Sequence, residues 1–281
     1  MRVRIGSLEE LRSKGCLTGK AGSQPVCVFW HEGRAFAVDD RCPHLGFPLH
    51  RGTVENGLLT CHWHHARFEL SSGSTFTPFS DDVRAYPVEL TDGEVTVVVD
   101  HDDAGGTYHR QRLVEGLEAG LTLVTAKATL GLVDDGVSAE EIVAIGVDFG
   151  TTYREAGWGA GLTVLIAMAN VLPYLHPDDR SLALVHGLSF VSRDTRGRPP
   201  RFPLTPLGSV GVSVERLEAW YRRFIESRSV AGAERVLLTA VDAGAPTPRL
   251  AAMMTAAATD HVFLDGGHTL DFTNKAFEAL G

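Results

Sequence analysis

Two short motifs, Cys42-Pro-His44-Leu-Gly and Cys61-His-Trp-His64, lie with sixteen residues between His44 and Cys61. Thiolate sulfur and imidazole nitrogen are both transition-metal donors, so the pairing commits two chain segments to converge on one centre. From Val26 to Asp100 short apolar or alternating runs (VCVFW, RAFAVDD, GLLTCHW, RAYPVEL and EVTVVVD) are separated by the turn signals HEGR, ENG, SSGS and TDGE. That is the pattern of an antiparallel all-β domain, with the two motifs on its loops. A tetrahedral zinc site built from two cysteines and two histidines would use the same donors. Three features favour an iron–sulfur centre instead. The ligands sit on two β loops, each loop carries Pro, Gly or bulky residues suited to covering a cluster, and no recognition helix follows.

Residues 1–100 resemble Rieske ferredoxins, their oxygenase-fused relatives and the small subunit of nitrite reductases. The resemblance rests on CPHLGFPLHRGTVENGLLTCHWHHARFELSSG followed by YPVELTDGEV. It implies a [2Fe-2S] cluster in which Cys42 and Cys61 ligate one iron and His44 and His64 the other. Imidazole ligation raises the potential above that of an all-cysteine ferredoxin. His62 and His65 flank the ligands without ligand spacing, and His50 has no assigned role. High-potential relatives in respiratory complexes carry an extra cysteine on each loop, joined as a disulfide, and hydroxyl groups on the sulfurs. Here Gly46, Trp63, Ala66 and Phe68 stand in that neighbourhood. Without those hydrogen bonds the more negative, reduced cluster is less favoured, so a low-potential, ferredoxin-like centre is expected.

At HDDAGG, residues 101–106, acidic and glycine residues interrupt the pattern, which divides the chain into a Rieske-type domain at 1–101 and a second domain at 107–281. The second domain reads as an all-α helical bundle. Its apolar residues recur at helical spacing in RQRLVEGLEAGLTLVTAKATLGLV, SAEEIVAIGVDFGTTYREAG, GLTVLIAMANVLPYL, SVERLEAWYRRFIESRS and TPRLAAMMTAAATDHVFL. Shifted by 108 positions, the region matches itself at Leu130/Leu238, Val133/Val241, Asp134/Asp242, Gly136/Gly244, Ala144/Ala252, Thr151/Thr259, Gly159/Gly267, Leu162/Leu270 and Leu172/Leu280. An internal duplication and a chance likeness of Ala-rich helices both account for this.

A redox domain joined to a large helical one suggests an electron destination, so a second metal site is sought among His176, His186, His261 and His268. No Glu-x-x-His pair of the di-iron carboxylate type occurs. His261, Asp265 and His268 fall at i, i+4 and i+7 and offer the ligand types of a mononuclear non-haem iron site, although about 10 Å of helical rise separates the two histidines. His176-Pro177-Asp178-Asp179 reads as a helix start, with His186 inside that helix near its apolar face. Arg193, Arg196, Arg198 and Arg201 mark a solvated connector or a docking loop. The scattered histidines and the histidine-bearing C-terminal helix resemble questin-oxidase-like proteins, and no catalytic residue is carried over from them.

A net charge of −9 argues against nucleic-acid and anionic-membrane partners. The charged start of the chain and the lack of any apolar run of about 18 residues point to the cytoplasm. Four cysteines, two of them in the motifs, make no disulfide framework and leave Cys16 and Cys27 as ordinary thiols. The expected function is that of an oxidoreductase: a reductase or ferredoxin reductase charges the cluster, which relays electrons to a metal-dependent, oxygenase-like site in the helical domain, with a small-molecule substrate. The alternative is a non-catalytic carrier whose helical domain is a docking or dimerisation platform, consistent with a homo-oligomer.

Overall fold

The tight turns of the first half follow from glycine placement. Glu32-Gly33, Asn56-Gly57 and Asp92-Gly93 each have positive φ at both residues. This is the two-residue hairpin geometry that matches strand twist, and it tolerates glycine best. The computed structural model describes residues 1–99, 105–154, 157–208, 211–261 and 264–280. They fall into two compact units, Met1–Tyr108 and His109–Gly281. Of the boundary expected at residues 101–106, residues 101–104 lie outside the described residues.

The first unit runs β1 (Arg2–Ser7), α1 (Leu8–Lys14), β2 (Cys16–Ala21), β3 (Gln24–His31) and β4 (Arg34–Asp39). After a 3-10 turn at Leu49–Arg51 come β5 (Thr53–Glu55), β6 (Leu58–Thr60), β7 (Arg67–Glu69), β8 (Ala85–Tyr86), β9 (Val88–Thr91) and β10 (Glu94–Val98). Three antiparallel sheets result, in the orders β1-β10-β9, β2-β3-β4-β8 and β5-β6-β7. The all-β expectation holds apart from α1, a short helix started by Ser7, whose Oγ accepts the Glu10 N–H at 3.1 Å, and ended by left-handed Gly15. One core, with Leu11, Val26, Val28, Tyr86, Val95 and Val97, lies under the larger sheets. A second, with Cys27, Val38, Leu49, Leu59, Phe68 and Leu70, joins them to the small sheet and encloses Cys42 and Cys61.

The second unit holds α2 (Gly105–Ala119, beginning in the first unit), α3 (Thr122–Asp134), α4 (Ala139–Thr152), α5 (Ala160–Val171), α6 (Pro177–Thr195), α7 (Val214–Glu226), α8 (Val230–Asp242), α9 (Thr247–Thr259) and α10 (His268–Glu278). The segment at 110–133 is two helices, because left-handed Gly120 ends α2. The 108-residue offset reappears in the backbone. It maps the first residues of α3, α4 and α5 onto those of α8, α9 and α10. Turn hydrogen bonds repeat with it: Gly136 N–H to Val133 O at 3.0 Å and Val137 N–H to Leu132 O at 2.9 Å match Gly244 to Val241 at 2.9 Å and Ala245 to Ala240 at 3.0 Å. Left-handed Gly120 matches left-handed Arg228. The repeat is therefore one of helix starts and turn geometry as well as of sequence. Each group has its own core, with Leu113, Leu132, Leu165 and Leu188 in the first and Leu217, Val236 and Met253 in the second.

In the first group α6 packs on α5 almost backbone to backbone. A Cβ added to Gly161 would lie 2.7 Å from Phe190 O, and one on Gly187 2.9 Å from Leu165 Cα. Added Cβ atoms on Gly146 and Gly150 of α4 would meet the side-chain ends of Leu188 at 2.7 Å and of Leu162 at 2.5 Å. Gly187→Val overfills this packing and is expected to destabilise the helical unit by about 2 kcal/mol. Thermal denaturation of the full chain followed by helical circular dichroism should register the loss, whereas visible absorption of an iron–sulfur centre, where bound, should melt as in the wild type.

Candidate metal centre

Two loops built on one plan present Cys42, His44, Cys61 and His64. In the first, Cys42 N–H donates to Phe47 O at 2.8 Å and Gly46 N–H to Cys42 O at 2.7 Å. In the second, Cys61 N–H donates to Ala66 O at 2.9 Å and His65 N–H to Cys61 O at 3.0 Å. Each loop is thus a six-residue turn closed at its cysteine, with the fifth residue left-handed: Gly46 at φ 81° and His65 at φ 60°. His65 is spent on that backbone conformation, and exposed His62 sits 3.4 Å from Thr53 Oγ1, so neither is a ligand candidate.

Both cysteines are buried, whereas His44 is half-buried and His64 exposed. Burial pushes the Cys42 thiol up to about 11, with the Cys61 thiol beside it adding to the rise, while the His44 and Leu45 backbone N–H groups aimed at its sulfur pull it down. The two imidazole centroids lie 4.7 Å apart at 83°. Phe79 packs 4.8 Å from His44, and Trp63 5.0 Å from His64. The four stand as a thiol pair and an imidazole pair, an arrangement that suits a cluster sharing them between two irons. Sulfur-directed N–H groups inside and nitrogen donors outside fit a [2Fe-2S] group of mixed ligation. When bound, it supplies one-electron chemistry.

The Rieske [2Fe-2S] domain family model matches residues 1–87. The ferredoxin subunit of anthranilate 1,2-dioxygenase from Burkholderia cepacia is 31% identical over 96 residues, which span 34% of this chain and 89% of that one. The chain belongs to the Rieske [2Fe-2S] family. Its Rieske region is also 34% identical to the ferredoxin subunit of 3-phenylpropionate/cinnamic acid dioxygenase from Photorhabdus laumondii, over 27% of this chain and 75% of that one. The ferredoxin component of the alkene monooxygenase system of Xanthobacter autotrophicus is 31% identical over 27% of this chain and 63% of that one.

Outside the Rieske unit the four histidines sought for a second metal stand in separate surroundings. His176 caps α6, its Nδ1 accepting the Asp178 N–H at 3.4 Å, and Pro177 opens the helix as its sequence implies. His186 is exposed and packs on Phe190 at 4.9 Å, because the apolar face of α6 runs through Ala183, Leu184, Gly187, Leu188 and Val191. His261 follows α9, residues 262–263 lie outside the described residues, and His268 opens α10 against Phe272 at 5.3 Å. Asp265, Gly266 and Gly267 are all left-handed, so the i, i+4, i+7 spacing does not lie on one helix. Asp260 is held by Arg222, and Arg201 by Glu234 at 2.5 Å. Among the described residues no helix is long and apolar enough to cross a membrane.

Sequence reasoning missed Phe79 and the carboxylate of Glu69 behind the second loop. Burial would raise the Glu69 carboxyl, but N–H and hydroxyl donors of Ser71 and Ser72 outweigh it and hold it at about 2. A depressed carboxyl contributes stability above its unfolded value near 4.5, and this contribution fades as pH falls towards 2. The stability advantage of the wild type over Glu69→Gln should accordingly shrink in melts taken from pH 5 downwards. Separately, Cys61→Ser removes a buried ligand, and iron analysis should find the variant with less than about a tenth of wild-type cluster.

Proposed function

We propose that this chain is a low-potential Rieske ferredoxin-type electron carrier for an oxygenase-class partner, with residues 1–101 as its redox domain and residues 107–281 as a docking or dimerisation platform. One observation carries the reading. The sulfur side of the ligand set is buried while its imidazole side reaches solvent among exposed apolar groups, Leu45 at 52% and Trp63 at 55% exposure. An exposed apolar rim around the redox edge is suited to transient association with another protein. The three relatives described above, each a ferredoxin part of an oxygenase system, support the same role. In this reading a separate cytoplasmic reductase charges the centre. The low potential rests on Gly46, Ala66 and Phe68, which stand where hydroxyl groups would hydrogen-bond the sulfurs and raise it.

The reading in which the helical unit itself holds a mononuclear non-haem iron site for a small substrate ranks second, because His176, His186, His261 and His268 lack gathered co-ligands among the described residues. Iron analysis and EPR on the full chain separate the two. The carrier reading expects about two iron atoms per wild-type chain and none in the Cys42→Ser/Cys61→Ser double variant after anaerobic Fe(II) loading. Iron held by that double variant would move the oxygenase reading to first place.

Leu45→Asp puts a charge on the exposed rim. It should raise the KM for electron delivery to the partner about tenfold, or about 1.4 kcal/mol, and, as a negative charge beside the ligand loop, shift the potential negative while the Rieske-type EPR signal is retained.

A further inference from the structure

The two ligand loops are anchored unequally. The second is bracketed directly by the ladder pair Thr60 and Arg67 of β6 and β7, so the sheet fixes its ends. The first leaves β4 after Asp39 and re-enters at Thr53 of β5, and these strands belong to different sheets. No ladder sets the separation of its ends. What joins them is Asp40, 9% exposed, at the exit of β4. Its Oδ1 accepts the His50 backbone N–H at 2.8 Å, and its Oδ2 lies 2.7 Å from His50 Nδ1. A carboxylate oxygen only accepts, so His50 carries its proton on Nδ1. Asp40 N–H donates to Pro25 O of β3 at 2.8 Å, and the fully buried Cys27 of the same strand lies in the core beneath.

We propose that Asp40 and His50 are positioning residues, a clamp that closes the base of the first loop and sets Cys42 and His44 against Cys61 and His64. The inference rests on the [2Fe-2S] reading of those four residues. The clamp replaces the missing strand ladder with one buried residue tied in two places: to the far end of the loop, where its carboxylate takes two groups of His50, and to β3, where its backbone N–H donates to Pro25 O. A buried acceptor with all its donors supplied resists being pulled apart, since each lost partner leaves a polar group unsatisfied away from water. Partners beyond the ligands themselves commonly change metal affinity about 10–100-fold when removed.

The test uses full-length His50→Ala, His50→Asn and Asp40→Asn, read by EPR line shape, midpoint potential and the time for which the cluster survives a chelator. His50→Ala should shorten that survival about tenfold and broaden the EPR lines. His50→Asn, whose amide N–H can take the place of the Nδ1 donor, should restore both. Asp40→Asn removes a negative charge beside the ligand loop and should shift the potential positive, because the reduced cluster is the more negative state. Wild-type survival, line shape and potential in both His50→Ala and Asp40→Asn would overturn the clamp. Should Asp40→Asn not fold, the milder His50 pair decides alone, and failure of His50→Asn to recover what His50→Ala loses overturns it. A wild-type chain without a Rieske EPR signal would overturn the cluster reading instead, a result distinct from any of these.

Discussion

Two cysteine sulfurs buried side by side are the constraint around which the Rieske unit is built. Burial opposes charge on either sulfur, and the Cys42 thiol is accordingly raised. Metal and directed hydrogen bonds are the compensations open to such a pair. The paired turn frames make those hydrogen bonds available, because closing a six-residue turn at its cysteine points the next backbone N–H groups inward. The same closure turns the histidines outward. The short β5-β6-β7 sheet and its Asn56-Gly57 hairpin then hold one frame, while Leu49, Leu59, Phe68 and Leu70 pack beneath both.

The other two thiols answer to the same physics without a metal. Burial, and then the nearby Asp40 carboxylate, push Cys16 up to about 12 and raise Cys27 as well. Neither presents the thiolate that reactivity requires, in keeping with their reading as ordinary thiols.

Much of the cluster site was legible because it is local. Cysteine and histidine at fixed spacing, with Asn-Gly and Asp-Gly turn signals nearby, specify chemistry within a few residues, and the hairpins fall where those signals stand. The clamp was not legible, since Asp40 and His50 belong together only once β4 and the 3-10 turn are in place. Phe79 was hidden for the same reason, reaching His44 from a distant turn. In the helical region periodicity identified the helices, but Gly120 reads as one small residue in a continuous run when its positive φ in fact ends a helix. His186 falls one position off the buried stripe, for apolar neighbours on both sides do not reveal which face α6 turns inward.

The helical repeat is recorded in main-chain geometry more firmly than in side chains. A turn closed by backbone hydrogen bonds works with Gly120 in one group and Arg228 in the other, though the arginine accepts some strain at positive φ. Within the first group a side chain at Gly161 would run into the α6 backbone, and one at Gly146 or Gly150 into leucines of α5 and α6. One repeat later the corresponding residues are Met254, Ala258 and Thr269. The two halves therefore tolerate substitution differently at matching positions: the first has glycine where a neighbouring helix presses close, while the second fills the same positions with side chains.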